Sequence, residues 1–236
     1  MPTIIKGQPT SEQVLAQLKS ENRPVLLSFS CGKDSIACWL ALKEHDIEVV
    51  PVFMYIVPEM PFINAEIEYF EKFFGCKIHQ YPHKSLFDWL GTGIFQTPER
   101  VPALAGLNFL SPSYEELWSK IKDDLDLPQD TWICDGVRAS DSIVRRASFT
   151  KHGVMKKHLT KCSPIADYLK KEVMDIIEKH RCELPVDYEW FGRSFDGLDY
   201  RFIKPLKDNS PEDFAHLKKW FPLVEADIVR HEAYGF

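Results

Sequence analysis

Residues 28 to 35 read Ser28-Phe29-Ser30-Cys31-Gly32-Lys33-Asp34-Ser35, and their setting decides the fold. Upstream, Val25-Leu26-Leu27-Ser28-Phe29 is a short, mostly apolar run behind Pro24, the pattern of a strand buried in a parallel sheet. Downstream, Ile36, Trp39, Leu40 and Leu42 continue at helical spacing toward His45. In a polar turn between such a strand and helix, successive backbone N–H groups point into one concavity. The positive end of the helix dipole lies behind them. Gly32 permits close backbone approach to a phosphate, Lys33 adds a cation, and Ser30 and Ser35 add hydroxyls. Asp34 is unusual in a pure anion site; it must cap the helix or meet a cation such as Mg2+, and Asp135 is a candidate to share that ion. With one glycine and different spacing, this is not the GxxxxGK[ST] loop of kinases and GTPases.

Working outward, Thr10 with Gln13 forms a capping-box pattern ahead of Val14, Leu15 and Leu18. Glu48–Phe53 reads as a second strand, with Pro51 arguing against a central position. Residues 63–74 read as a helix stopped by Gly75, and Lys77–Tyr81 as a third strand. Strand, helix, strand, helix and strand at this spacing predict an open, mostly parallel twisted α/β sheet with helices on both faces. Residues 91–112, punctuated by Gly, Pro and Thr, read as a long excursion, a lid or partner surface. A helix over 113–124, capped by Ser111 or Ser113, and a strand over Thr131–Asp135 follow. Residues 166–181 form an amphipathic helix pattern, 184–203 an aromatic, Gly-punctuated stretch, and 211–231 one or two further helices. The expected organisation is a nucleotide-binding domain over 1–205, with an insertion at 91–124, and a helical C-terminal extension over 206–236.

The 236 residues suffice for one sizeable core, and 44% hydrophobic with 27% charged residues is ordinary globular composition. No apolar run approaches the ~20 residues of a membrane helix, and the N-terminus lacks a signal-peptide plan; the expected location is cytoplasmic. Six cysteines, none spaced Cys-x-x-Cys, predict reduced and mostly buried thiols and offer no cluster for zinc or iron–sulfur. Net charge is -6, yet residues 138–161 hold seven Lys/Arg against the single acid Asp141. A basic field inside an acidic chain points to an anionic ligand. His79 and His83 flank a strand end and read as surface histidines before metal ligands. Tyr188, Trp190, Phe191, Phe195 and Tyr200 read as packing first and as a base-stacking platform second, with Arg193 and Arg201 interleaved.

Ser30-Cys31-Gly32-Lys33-Asp34-Ser35 resembles the SGGKDS loop of the ATP-pyrophosphatase (PP-loop, adenine nucleotide alpha hydrolase-like) superfamily, with Cys31 where the first glycine usually sits. Gly136-Val-Arg138-Ala-Ser-Asp-Ser142-Ile-Val-Arg145 resembles the GxRxxxSxxR segment of phosphoadenosine-phosphosulfate (PAPS) reductase relatives. Ser163–Tyr168, Leu184–Tyr188 and Gly192-Arg193-Ser194 are similar to later segments of that family in the right order, so the resemblance spans residues 24 to about 200. It implies an adenine nucleotide held by Ser28, Ser30, Cys31, Gly32, Lys33, Asp34, Ser35, Gly136, Arg138, Ser142 and Arg145. Lys33, Asp34 and Arg138 would be the catalytic groups and Asp34 a ligand of Mg2+. It further implies ATP, or PAPS or adenosine phosphosulfate (APS), as the nucleotide; the paired cysteines that hold a [4Fe–4S] cluster in APS-reducing relatives are absent here, so no iron–sulfur cluster is expected. A nucleic acid, a sulfur-transfer protein or a second copy of the chain are the partners it leaves open.

Two departures redirect the expected chemistry. Sulfonucleotide reductases attack the substrate sulfur with a cysteine in a C-terminal ECGxH motif, whereas no cysteine follows Cys182 here. Relatives often place Asp-Thr-Gly after the second strand, where this chain has Phe53–Glu59. The resemblance therefore implies adenylation of an acceptor with release of pyrophosphate. Sulfonucleotide binding with an external thiol and a non-enzymatic nucleotide- or DNA-associated module are the alternatives. Cys31, beside the loop amides and Lys33, is the candidate for a replacement nucleophile, against the simpler reading of a small residue tolerated in a glycine's place.

Overall fold

A computed structural model describes residues 3–107 and 110–235. In chain order the elements are α1 (Ser11–Glu21), β1 (Val25–Phe29), α2 (Lys33–Glu44), β2 (Val49–Tyr55), α3 (Pro61–Phe74), β3 (His79–Pro82), α4 (Lys84–Gly91), α5 (Arg100–Gly106) and α6 (Tyr114–Asp124). They continue with β4 (Ile133–Cys134), α7 (Ile143–His152), β5 (Met155–Lys156), a 3-10 turn at Lys157–Leu159, β6 (Lys161–Cys162), α8 (Lys170–Lys179), α9 (Asp187–Phe191), α10 (Tyr200–Asn209), α11 (Pro211–Trp220) and α12 (Glu225–Tyr234). The sheet has six strands in the order β3-β2-β1-β4-β6-β5. β1 pairs parallel with both β2 and β4, and β4 pairs parallel with β6; β5 runs antiparallel to β6. This is an α/β fold with a mostly parallel sheet, as the alternation of patterns requires.

The described residues divide into two compact units. One falls within Met1–Phe53, Cys76–His79 and Ser119–Leu184, the other within Met54–Gly75, Gln80–Trp118 and Pro185–Phe236. In the first, Leu26 and Leu27 of β1 and Ile36, Leu40 and Leu42 of α2 are fully buried, and Trp39 meets Phe29 edge-on at 5.0 Å. At about 25 cal/mol per Å² of apolar surface, side chains of this kind dominate the stability of the sheet layer. The capping box of α1 is formed as expected: Gln13 N donates to Thr10 Oγ1 at 3.3 Å, and Thr10 N donates to Gln13 Oε1 at 2.9 Å. The amide of Ser11 donates to the buried carboxylate of Asp167 at 3.0 Å, satisfying another unpaired helix-end donor.

In the second unit Phe62, Phe191, Phe195 and Phe202 form a cluster of edge-to-face and tilted rings with centroids 5.5–6.3 Å apart, joined by Trp190. The aromatic stretch is therefore packing. Arg193 and Arg201 both lie over the Phe202 ring, and each is ion-paired, to Asp196 and Asp199. That occupies the two cations on which a base-stacking platform would depend. Buried aspartates hold backbone amides here: Asp213 accepts from Phe62 N at 3.0 Å and Asp227 from Tyr200 N at 2.8 Å, both at helix starts, and Asp187 from Phe195 N at 2.9 Å.

Several sequence expectations shift. Pro51 lies in β2, a strand flanked on both sides, and the register runs through it from Leu26↔Val50 to Ser28↔Val52. One missing ladder N–H costs less than the burial of Val52 and Phe53 gains. The stretch 91–112 is not structureless, since α5 occupies Arg100–Gly106; Asn108 and Phe109 lie outside the described residues. The amphipathic helix over 166–181 begins at Lys170. Ser113, not Ser111, caps α6: its Oγ accepts from Glu116 N at 3.1 Å, and Ser113 N donates to Glu116 Oε2 at 2.8 Å. His83 caps α4 by accepting from Ser85 N at Nδ1, and its other ring nitrogen meets the Tyr114 hydroxyl at 3.1 Å, which leaves no nitrogen for a metal.

Candidate functional site

The chain leaves β1 toward β2 on one side, while β4 later pairs on the other. Strand order reverses at β1, and in open α/β sheets ligands bind outside the carboxyl ends of strands at such a point. Here those ends are followed by the loop 30–35 after β1 and the segment 135–138 after β4.

The loop is internally tied. Ser35 Oγ donates to Gly32 O at 2.8 Å and accepts from Ser30 N at 3.2 Å. Ser30 Oγ accepts from Gly32 N at 3.4 Å and meets Ser35 Oγ at 3.2 Å. Gly32 is the N-cap of α2 and has no side chain to cap it, so the first amides of α2 lack a side-chain cap at the position where an anion would serve. Cys31 adopts φ 56°, the left-handed region. That explains why glycine suits this position and what cysteine costs there, of the order of 1–2 kcal/mol. Cys31 is 1% exposed. A nucleophile must reach its substrate, so burial removes Cys31 as the replacement thiol. Ser28 belongs to β1, half-buried inside the strand and two residues short of the loop.

The segment after β4 closes on this loop. A Cβ on Gly136 would stand 2.5 Å from the carbonyl carbon and oxygen of Asp34 and 2.7 Å from Ser35 N, so any other residue would force this backbone apart. Two residues on, Arg138 is buried, with Nε 3.0 Å from Asp34 Oδ1 and Nη2 2.6 Å from Asp141 Oδ1. The first pair is close without hydrogen-bond alignment, and Nη1 is buried with no hydrogen-bond partner. Arg145 Nη1 reaches Asp141 Oδ2 at 2.6 Å, and Lys33 Nζ reaches Asp34 Oδ2 at 2.6 Å. Ser142 caps α7 by accepting from Arg145 N at 3.1 Å, which turns the chain and presents Arg145. Three cations, Lys33, Arg138 and Arg145, thus face two carboxylates, Asp34 and Asp141, leaving one positive charge in excess.

Asp34 is held between two cations, Lys33 at Oδ2 and Arg138 beside Oδ1, and its Oδ1 is buried with no hydrogen-bond partner. Asp135 is tied at one oxygen. Its Oδ1 accepts from Val137 N at 3.1 Å and from the Ser163 hydroxyl at 2.6 Å, and burial pushes its pKa upward, with those hydrogen bonds opposing. Among the described residues, no group of three or more His, Cys, Asp or Glu is placed to hold a metal ion. Sequence reasoning missed Asp141, the acid that joins Arg138 to Arg145. Its position between them was visible; that it faces both was not. It also missed Ser163, whose hydroxyl orients Asp135.

The fold and site define a class: an α/β protein with a mostly parallel sheet and a polar strand–helix loop at the reversal of strand order. No helix among the described residues is long and apolar enough to cross a membrane. No protein-family model matches the chain, and no curated protein matches it. Among solved structures it is similar to an NH3-dependent NAD synthetase from Campylobacter jejuni subsp. jejuni NCTC 11168, determined in complex with the nitrate ion. The TM-score is 0.46 and the identity 14%, over 96% of this chain and 95% of that one. A likeness of that size lends no residue role to this chain.

Proposed function

We propose that the protein binds ATP at the 30–35 loop and transfers the adenylyl group to an acceptor oxygen, releasing pyrophosphate. The observation that carries this reading is Arg138: a buried guanidinium beside the loop whose Nη1 has no partner. Buried donors are rarely left unpaired, and an arginine fork matches phosphate oxygens. The SGGKDS-like loop supports an adenine nucleotide of the PP-loop type, and the GxRxxxSxxR-like segment supports a PAPS reductase relative.

In this reading Lys33 and the amides of residues 31–35 hold the leaving β- and γ-phosphates, with Ser30 and Ser35 fixing the loop's shape. Arg138 and Arg145 bind the α-phosphate, and Asp34 positions Lys33 and Arg138. The acceptor oxygen attacks the α-phosphorus. The bond from that phosphorus to the bridging oxygen breaks, pyrophosphate leaves with the electron pair, and the acceptor's proton passes to solvent. Catalysis is positional and electrostatic. Magnesium bound to the nucleotide would supply charge neutralisation on its phosphates. No residue here is assigned to it.

Titration calorimetry with ATP–Mg2+, APS and PAPS tests the proposal, with Lys33→Ala as control. ATP should bind, and Lys33→Ala should weaken it at least tenfold, a loss of about 1.4 kcal/mol. Preference for PAPS or APS would sink adenylation and restore a sulfonucleotide ligand. Tight ATP binding with no pyrophosphate release against any acceptor would leave a binding module.

A further inference from the structure

Residues 138–161 carry a net charge of +6 in a chain of -6, so the remaining residues carry -12. The structure shows what this stretch builds. It comprises α7, β5, the 3-10 turn at Lys157–Leu159 and the start of β6, all in the first compact unit. Most cations elsewhere in the chain are ion-paired to acids, as at Lys19, Lys72, Lys171, Lys204 and Arg230. In this stretch Arg146, Lys151, Lys156 and Lys157 have no ion pair among the described residues. Arg146, Lys151 and Lys157 are exposed.

Two features show that the charge is not a by-product of folding. The helix α7 buries Phe149 alone among its residues, so its basic face is not needed to solubilise a packed helix. In the antiparallel pair β5–β6, Lys156 stands directly opposite Lys161. Like charges facing across strands add to the local positive field. Both lysines lie within electrostatic reach of Asp135, at the end of β4, so the basic strip adjoins the candidate site.

We propose that this strip, from Arg146 on α7 to Lys156 and Lys157, binds the phosphate backbone of a nucleic acid. A polyanion with regularly spaced phosphates matches several unpaired cations on two neighbouring elements, where a single phosphate would not. This inference rests on charge and not on the adenylation reading, although a nucleic acid bound there would bring sugar hydroxyls or bases near the site as acceptors.

Fluorescence anisotropy with labelled single-stranded RNA, an RNA hairpin and duplex DNA tests it, with phosphatidylserine vesicles as a separate arm. If four phosphates are neutralised, log K should fall against log salt with a slope of about -2.8 to -3.6. That is a loss of roughly 50- to 150-fold between about 50 and 200 mM salt. The combined variant Arg146→Glu, Lys151→Glu and Lys157→Glu should abolish binding and flatten the slope. Its thermal melting and its ATP titration serve as folding controls that do not use these residues. The preferred oligonucleotide identifies RNA or DNA as the source of the phosphates. Absence of oligonucleotide binding at low salt, equal binding by the variant, or capture by vesicles alone overturns the proposal. Failure of ATP binding with intact oligonucleotide binding would instead count against adenylation.

Discussion

At Gly136 the position of a side chain is taken by backbone of the loop, so any Cβ there forces main-chain atoms to shift. A Cβ there meets Asp34 and Ser35 main-chain atoms at 2.5–2.7 Å, well inside van der Waals contact. Gly136→Ala should therefore cost about 1–3 kcal/mol as an overpacked site, lowering Tm by roughly 2–4 °C per kcal/mol in a chain of this size. It should also push the loop away from Arg138 and weaken nucleotide binding beyond what the stability loss explains. Differential scanning calorimetry and ATP titration check both; a variant that melts and binds like wild type would mean that 136 is not the point of contact. The sequence made this glycine legible as part of a GxR pattern. The reason for it, an approach between segments about 100 residues apart, needed the sheet. Cys31 is the converse case. Its place in a glycine's position was plain from the loop, but its left-handed backbone and its burial were not, and the burial rules out the reactive role that its neighbours suggested.

Among elements, the second unit holds an acidic group of unusual chemistry. Glu66 of α3 is buried with Asp187 of α9 and Asp213 of α11 within electrostatic reach. Burial foremost, and then the charge of Asp187, raise the Glu66 carboxyl from 4.5 to about 9; Asp187 itself is raised by burial to about 6. Amides of Val186 and Asp187 oppose the first shift without cancelling it. Between pH 4.5 and about 9 the folded protein keeps a proton that the unfolded chain releases, so stability falls as pH rises through this window. Tm should decline from about pH 6 to 9, and Glu66→Gln, which keeps the shape without the charge, should flatten that decline and melt higher at the alkaline end. A wild-type Tm that is level across the window would show that Glu66 ionises freely. No periodicity announced this cluster, because the three acids come from distant helices. The same limit hid β5 and β6: two-residue strands carry no alternation to read, and α7, with one buried residue, carries no apolar stripe. By contrast β1, α2, α3 and the α1 capping box stood out, since there the local pattern and the tertiary role coincide.

For the molecule as a whole, the cysteines report on how completely the chain closes around its cores. Five of the six are buried and Cys76 is half-buried. Burial also raises the pKa of Cys38 and Cys134, and the thiols of Cys134 and Cys162 lie 3.3 Å apart on adjacent strands. A thiol reagent such as DTNB should label about one cysteine rapidly in the native protein and all six in denaturant. Rapid native labelling of two or more would mean that the sheet layer opens. The strand order has a last consequence, for assembly. One edge of the sheet is β3, four residues ending in Pro82, and the other is β5, two residues with Lys156 opposite Lys161. A short strand, a proline and paired like charges each discourage another chain from adding to an edge. The sheet is thus blunted at both ends against templated stacking, which favours a sheet that stays a closed count of six.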